Sequence, residues 1–146
     1  MKKDVLITIK GVQTIEGDQD TVELTTTGSF YRKNDTYYLS YLETAPSSFE
    51  GHKTTLKLEQ ERRISLLRHG GGDSSLVVEQ GVRHQCCYDT GYGSMLIGVS
   101  GRSIENDITD DGGCVHFQYS LDINTILTSI HDIYVTVKTY ENELKA

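Results

Sequence analysis

Proline, tryptophan and long apolar runs are scarce in this chain of 146 residues. It has one proline, Pro46, and no tryptophan. No apolar run approaches the roughly 20 residues that a membrane-spanning helix needs, so a transmembrane helix is excluded. The basic start is followed by a short apolar stretch, residues 5–9, that alternates with polar residues and precedes no small-residue cleavage site. This start therefore predicts a first strand and not a signal peptide.

Positive charge and cysteine are also limited. The 14 Lys and Arg residues are outnumbered by 21 Asp and Glu residues, which gives a formal net charge of -7. The basic residues are scattered, whereas proteins that bind nucleic acid or acidic membranes usually carry a basic stripe. We therefore expect neither partner. Three cysteines, an odd number, without a signal peptide predict reduced thiols and a cytoplasmic protein.

No segment has a convincing helical period. The chain instead consists of short runs rich in Thr, Tyr, Val and Ile, in which polar and apolar residues alternate between turns rich in Gly, Asn and Asp, a pattern that predicts strands. The predicted strands are residues 4–13, 21–32, 36–44, 53–59, 63–69, 74–79, 82–89, 94–104, 114–122 and 132–140. Residues 124–131 are predicted to contain a short helical turn, and the acidic loop at 105–111 is predicted to be a solvated connection.

About ten consecutive strands on short connections would overextend an open twisted sheet. Closure into a barrel, or a split into two sheets, solves the problem of the exposed edges. The fold class predicted is therefore all-β, a closed antiparallel meander barrel, with residues 1–146 forming a single domain.

Alternation along each strand predicts which side chains point into the barrel. In a meander, alternate connections lie at the same end, which groups the loops at 14–20, 45–52, 70–73, 91–93 and 123–131. The polar or aromatic side chains expected to point inward near that end form the predicted mouth cluster, which comprises Tyr41, Glu43, Thr54, Arg68, Tyr88, Thr90 and Tyr119. Glu43 belongs to it if its face of the strand is the inner one, since both faces of residues 37–43 carry Tyr or Leu. His84 is expected deeper, toward the other end, and completes the candidate binding residues.

The leading hypothesis is a small-molecule site at this mouth. Arg68 would pair with an anionic group of the ligand, because the planar guanidinium matches a carboxylate or a phosphate. The tyrosines would offer flat faces and hydroxyl groups. The alternative is a structural network in which Arg68 pairs with Glu43 and the tyrosines cap a filled core. A different class of function, a protein-interaction or regulatory module, is suggested by the outward row Thr25, Thr27, Ser29 and Tyr31.

The sequence offers no complete catalytic set, so an enzyme ranks third. His84 and Cys86 should point inward while Cys114 and His116 point outward, which argues against a shared metal ion. No inward carboxylate pair and no nucleophile beside a base can be assembled. The glycines at 70–72 and 91–93 precede strands and are therefore hairpin turns, not phosphate loops. We expect no metal and no cofactor, and either a monomer or a homodimer.

Several segments together resemble the YwiB-like proteins, a group of small uncharacterised bacterial proteins found mostly in Gram-positive bacteria. The matching segments are residues 37–41 with Glu43, residues 53–57, Arg68, Gly81 with His84, residues 88–93, Gly112 with Gly113, and residues 119–123. The resemblance implies a calycin, or lipocalin-like, β-barrel, and it implies no particular function. Gly91 stands where the family often has proline, and without tryptophan Arg68 cannot be equated with the arginine that packs on tryptophan in secreted lipocalins.

Overall fold

The computed structural model describes residues 2–42, 53–59, 62–69, 74–89 and 93–139, with the backbone alone for residues 74, 87–89 and 94. The described residues form ten strands. They are β1 (Lys2–Ile15), β2 (Asp18–Lys33), β3 (Thr36–Leu42), β4 (Lys53–Glu59), β5 (Arg63–His69), β6 (Ser74–Glu79), β7 (Arg83–Asp89), β8 (Ser94–Asn106), β9 (Gly112–Ile123) and β10 (Ile126–Thr139).

All ten strands belong to one antiparallel sheet with the order β6-β5-β4-β3-β2-β1-β10-β9-β8-β7. All strands that follow each other in sequence are neighbours in the sheet except β6 and β7, and the pairing of β1 with β10 joins the two halves. The prediction of an all-β meander barrel is confirmed. None of the described residues forms a helix that could cross a membrane.

The barrel is nearly closed, and its seam lies between β6 and β7. Within the described residues these two strands share a single isolated bridge, Glu79–Val82, and no ladder. The β6–β7 turn is instead tied to β8, because Gly81 N donates to Gly101 O at 3.0 Å and Gly101 N donates to Val82 O at 3.2 Å. A Cβ at Gly101 would overlap the Glu79 carbonyl oxygen, so the seam requires glycine there.

Three tight turns fix the registers of the long hairpins. Both central residues have positive φ in Glu16–Gly17 (50° and 85°), Asn34–Asp35 (52° and 65°) and Asn124–Thr125 (52° and 68°). Positive φ at both central residues is typical of the type I′ turn, whose backbone twist matches the twist of the two strands that it joins. The third turn starts β10 at Ile126, so the prediction of a helical turn at 124–131 is wrong.

The predicted alternating rows line the barrel interior. Val5, Leu56, Leu58, Val115 and Phe117 have at most 2% of their surface exposed, as expected for inward positions.

Two strands, β3 and β2, refine or correct the predicted inward rows. In β3, where both faces carry Tyr or Leu, the buried hydrophobic side chains are Leu39 and Tyr41, and Ser40 between them is 9% exposed. Alternation along β2 predicts that Val22 points inward, but Val22 is 69% exposed, because β3 pairs only with residues 29–33 of β2 and leaves the rest of that strand without a partner on this side.

The connection between β8 and β9 is exposed at residues 105, 107, 109 and 111, as its acidic sequence predicts, but it also contributes one side chain to the core. Residues 105 and 106 belong to β8, and Ile108 packs into the hydrophobic core with only 9% of its surface exposed. Asp107 N donates to Cys114 O at 2.9 Å, which folds the loop back on the start of β9.

Asp110 clamps this loop to three strands on the other half of the sheet. Tyr37 donates its hydroxyl hydrogen to Asp110 Oδ1 at 2.7 Å, Arg32 Nη1 lies 3.2 Å from the same oxygen, and Lys3 Nζ donates to the Asp110 carbonyl at 2.9 Å. Burial, followed by the hydrogen bond to Asp110, raises the pKa of Tyr37. The loop therefore plugs the end of the barrel opposite the predicted mouth.

Candidate functional site

Three of the predicted mouth residues lie side by side on adjacent strands. Tyr41 pairs with Thr54 across β3 and β4, and Thr54 pairs with Arg68 across β4 and β5. Thr54 is fully buried, Tyr41 is 7% exposed and Arg68 is half-buried, so the row lies on the inner face with its cationic end nearest to solvent. All three residues already take part in interactions within the protein.

This row, which we call the Arg68 row, has an apolar floor. One step further into the barrel, Leu39 pairs with Leu56 and Leu56 pairs with Leu66, and the first two are buried. A guanidinium beside a buried hydroxyl, a phenol ring and an aliphatic floor is suited to an anionic group joined to an apolar body.

The other predicted site residues divide between separate places. Glu43 and Thr90 lie outside the described residues, and Tyr88 lies in β7 without a described side chain. His84 lies toward the opposite end, where its Nε2 is 3.0 Å from Glu79 Oε1 at the seam. The structure therefore does not bring His84 to the Arg68 row.

Tyr119 belongs to a second cluster on the opposite wall of the barrel. Its ring stacks on the His131 ring with centroids 4.9 Å apart and on Phe117 at 6.1 Å. His131 Nε2 and Ser129 Oγ share a hydrogen bond of 2.8 Å, and Ser129 is buried. Burial lowers the pKa of His131, so the imidazole is neutral at neutral pH.

Ser129 and His131 are hydrogen-bonded as a catalytic nucleophile and its general base would be, yet the described residues supply no acid that orients the His131 ring. Asp132 lies on the outer face, where its Oδ1 accepts a hydrogen bond from Gln118 Nε2 at 3.0 Å. The sequence prediction missed this cluster because residues 124–131 were assigned to a turn. The signal was present, since His131 continues the inward alternation of Ile133, Val135 and Val137.

The cysteines and histidines separate as their alternation predicts. Cys86 is buried and Cys114 is exposed, while His116 stacks on Tyr134 with ring centroids 4.1 Å apart on the outside of the barrel. Among the residues that the model describes, no group of three His, Cys, Asp or Glu side chains could hold a metal ion.

A groove of about 850 Å³ opens where β2 and β3 separate. Their ladder ends at the pair Ser29–Ser40, although β2 continues back to Asp18. The groove is lined from both faces of the diverging strands by Lys2, Thr26, Thr27, Gly28, Ser29, Tyr31, Ser40, Tyr41, Leu42, Lys53 and Thr55. The sequence prediction identified Thr27, Ser29 and Tyr31 as an outward row, but it could not place them in a concavity.

Comparison with known proteins places this barrel among relatives without an assigned function. The uncharacterised β-barrel protein YwiB of Bacillus subtilis (strain 168) is 26% identical over 138 residues, which cover 93% of this chain and 95% of that protein. The crystal structure of the ywiB protein from Bacillus subtilis superposes with a TM-score of 0.83 at 22% identity, covering 94% of this chain and 92% of that one. The model of the family described as "Domain of unknown function (DUF1934)" matches residues 7–135. The chain therefore belongs to the DUF1934 family.

Proposed function

We propose that this protein binds a small amphipathic anion at the barrel end that carries the Arg68 row. The observation that carries the proposal is the register Tyr41–Thr54–Arg68, which puts a cation beside a buried hydroxyl and an apolar floor. The plug formed by Ile108 and Asp110 supports it, because the opposite end of the barrel is occupied by the protein itself. In this proposal the barrel is calycin-like and the protein is cytoplasmic.

The proposed contacts follow from the chemistry of the row. Arg68 would hold the anionic head through its planar guanidinium, and Thr54 and Tyr41 would offer hydroxyl groups to the same head. The apolar body would lie on Leu56 and Leu66. The proposal assigns no reaction and no cofactor, and it applies equally to a monomer or a homodimer.

A fluorescent fatty-acid analogue, dansylaminoundecanoic acid, tests this site, with its uncharged methyl ester as the matched probe. The intact protein should bind the acid and should bind the ester more weakly. Arg68→Met should weaken binding of the acid by about 10- to 100-fold, because one charge-assisted hydrogen bond contributes about 1.5–3 kcal/mol. Lys138→Met, which removes an exposed cation on β10, should leave binding unchanged.

The alternative, a structural Arg68–Glu43 pair in a filled barrel, gives a different pattern. Under our proposal, Glu43→Gln leaves binding intact or tightens it. Under the alternative, neither probe binds, and Arg68→Met and Glu43→Gln lower the melting temperature by similar amounts. Equal binding of acid and ester, or binding that survives Arg68→Met unaltered, would show that the site is assigned wrongly.

A further inference from the structure

The groove between β2 and β3 differs in charge from the rest of the molecule. The protein carries a net charge of -7, yet among the described residues that line the groove the charged side chains are Lys2 and Lys53, and none is a carboxylate. Both lysines are exposed. The groove is therefore a locally cationic concavity on an acidic protein, which favours an anionic occupant.

Hydroxyl groups form the floor of this groove. Ser29, Ser40 and Thr55 lie in register across β2, β3 and β4, and Ser40 Oγ lies 3.0 Å from Thr55 Oγ1. Thr27 adds a fourth hydroxyl at the rim. Lysines combined with serine and threonine hydroxyls are the groups that proteins use to hold phosphate oxygens.

One wall of the groove is aromatic. The Tyr31 ring stacks on the Tyr38 ring with centroids 4.7 Å apart and planes 3° apart, and Lys57 Nζ lies 6.0 Å from the Tyr38 centroid. This stacking holds the Tyr31 ring in one orientation at the groove. Leu42, which is 61% exposed, adds an apolar surface on the other side.

We propose that this groove is a second binding site, for a phosphorylated small molecule that has a ring or another apolar part. Lys2, Lys53 and the hydroxyl floor hold the phosphate, and Tyr31 and Leu42 contact the apolar part. The volume of about 850 Å³ lies within the range of small-molecule sites. This site differs from the Arg68 row, because neither Arg68 nor Thr54 is among its described lining residues and only Tyr41 belongs to both.

Asp4 provides an internal check on the charge argument. It pairs with Ser29 on the neighbouring strand, and its carboxylate is exposed next to the hydroxyl floor. A carboxylate in that position repels a bound phosphate. Asp4→Asn should therefore tighten binding, whereas loss of a carboxylate elsewhere on the surface should not.

The experiment uses 4-methylumbelliferyl phosphate as the probe and monitors the amide resonances of the full chain by NMR, with 4-methylumbelliferone as the unphosphorylated control. The phosphate should give saturable shifts at Thr27, Ser29, Ser40 and Thr55. The Lys2→Gln/Lys53→Gln variant should weaken binding at least about tenfold, which corresponds to one charge-assisted contact. Lys10→Gln/Lys138→Gln removes the same charge from exposed positions outside the groove and should have little effect.

Several outcomes would overturn this second site. They are the absence of saturable shifts in the groove, equal shifts with 4-methylumbelliferone, and equal weakening by the two lysine pairs. Arg68→Met should leave these shifts unchanged. The groove proposal can therefore fail or succeed separately from the proposal of a site at the Arg68 row. Melting temperatures of all variants verify that the barrel is folded.

Discussion

At the scale of single residues, His131 is a histidine whose pKa the barrel alters through burial. Its ring lies between Tyr119 and the buried Ser129 hydroxyl, and burial lowers its pKa in the folded protein. The unfolded chain has an ordinary histidine, with a pKa near 6.5, and takes up the proton first as the pH falls. The free energy of unfolding should therefore decrease as the pH falls below about 6.5, by at most about 1.4 kcal/mol per pH unit from this group.

His131→Gln tests this assignment, because glutamine keeps a polar partner for Ser129 and does not titrate. Urea unfolding at about pH 7.5 and about pH 5.5 should show a smaller loss of stability in the variant than in the parent protein. His116→Gln, which also replaces a histidine that stacks on a tyrosine ring, is the matched control for the substitution itself. An unchanged pH dependence in His131→Gln would mean that other groups produce the slope.

At the scale of strands, Gly101 determines whether the seam can form. A Cβ at this position would overlap the Glu79 backbone, whereas a Cβ at Gly11, also within a strand, would meet Ile133 Cδ1 at an ordinary 3.5 Å. Gly101→Ala should therefore lower the free energy of unfolding by about 1–3 kcal/mol, the usual cost of overpacking. Gly11→Ala should be neutral or slightly stabilising, since glycine weakens a strand interior.

Chemical denaturation of the two glycine variants measures this difference. Hydrogen exchange adds a local readout, because the Gly81 and Gly101 amides, whose bonds tie the β6–β7 turn to β8, should exchange faster in Gly101→Ala. Equal stability of the two variants would mean that the turn moves away from β8 at little cost.

The strand scale also explains where sequence prediction succeeds and where it fails. Strict alternation in β4 predicts that Thr54, Leu56 and Leu58 point inward, and all three are buried. In β10 the register shifts between Leu127 and Ser129, which interrupts the two-residue period, so the start of that strand was missed.

The two candidate sites also differ in how far sequence analysis can predict them. The Arg68 row follows from two short hairpins whose registers are local, and sequence analysis could predict it. The groove depends on β2 having 16 residues and β3 having 7, a mismatch that appears only when the strands are paired.

At the scale of the whole molecule, the β8–β9 loop joins the two halves of the sheet. Asp110, from that loop, contacts Tyr37, Arg32 and Lys3 on β3, β2 and β1, which lie on the other half of the strand order. An acidic loop sequence predicts exposure when it is considered alone. Its basic and phenolic partners lie more than 70 residues away along the chain, so their proximity is a property of the closed barrel.

A double-mutant cycle measures how strongly this clamp couples the two halves. Tyr37→Phe removes the hydroxyl that donates to Asp110 at 2.7 Å, and Asp110→Ala removes the acceptor. The two changes should couple by about 1 kcal/mol, because a neutral donor bonded to a carboxylate stabilises the fold by about that amount or more. The free energies of unfolding of the two single variants and the double variant give the coupling.

Tyr31→Phe combined with Asp110→Ala is the matched control for the clamp, since Tyr31 stacks on Tyr38 and forms no described contact with Asp110. This pair should be additive within about 0.5 kcal/mol. Coupling in the Tyr37 cycle but not in the Tyr31 cycle would mean that the loop stabilises the barrel through the specific hydrogen bond between Tyr37 and Asp110. Additivity in both cycles would mean that Ile108 burial alone holds the loop in place, and Asp110 would then be a surface residue whose contacts contribute little to closure.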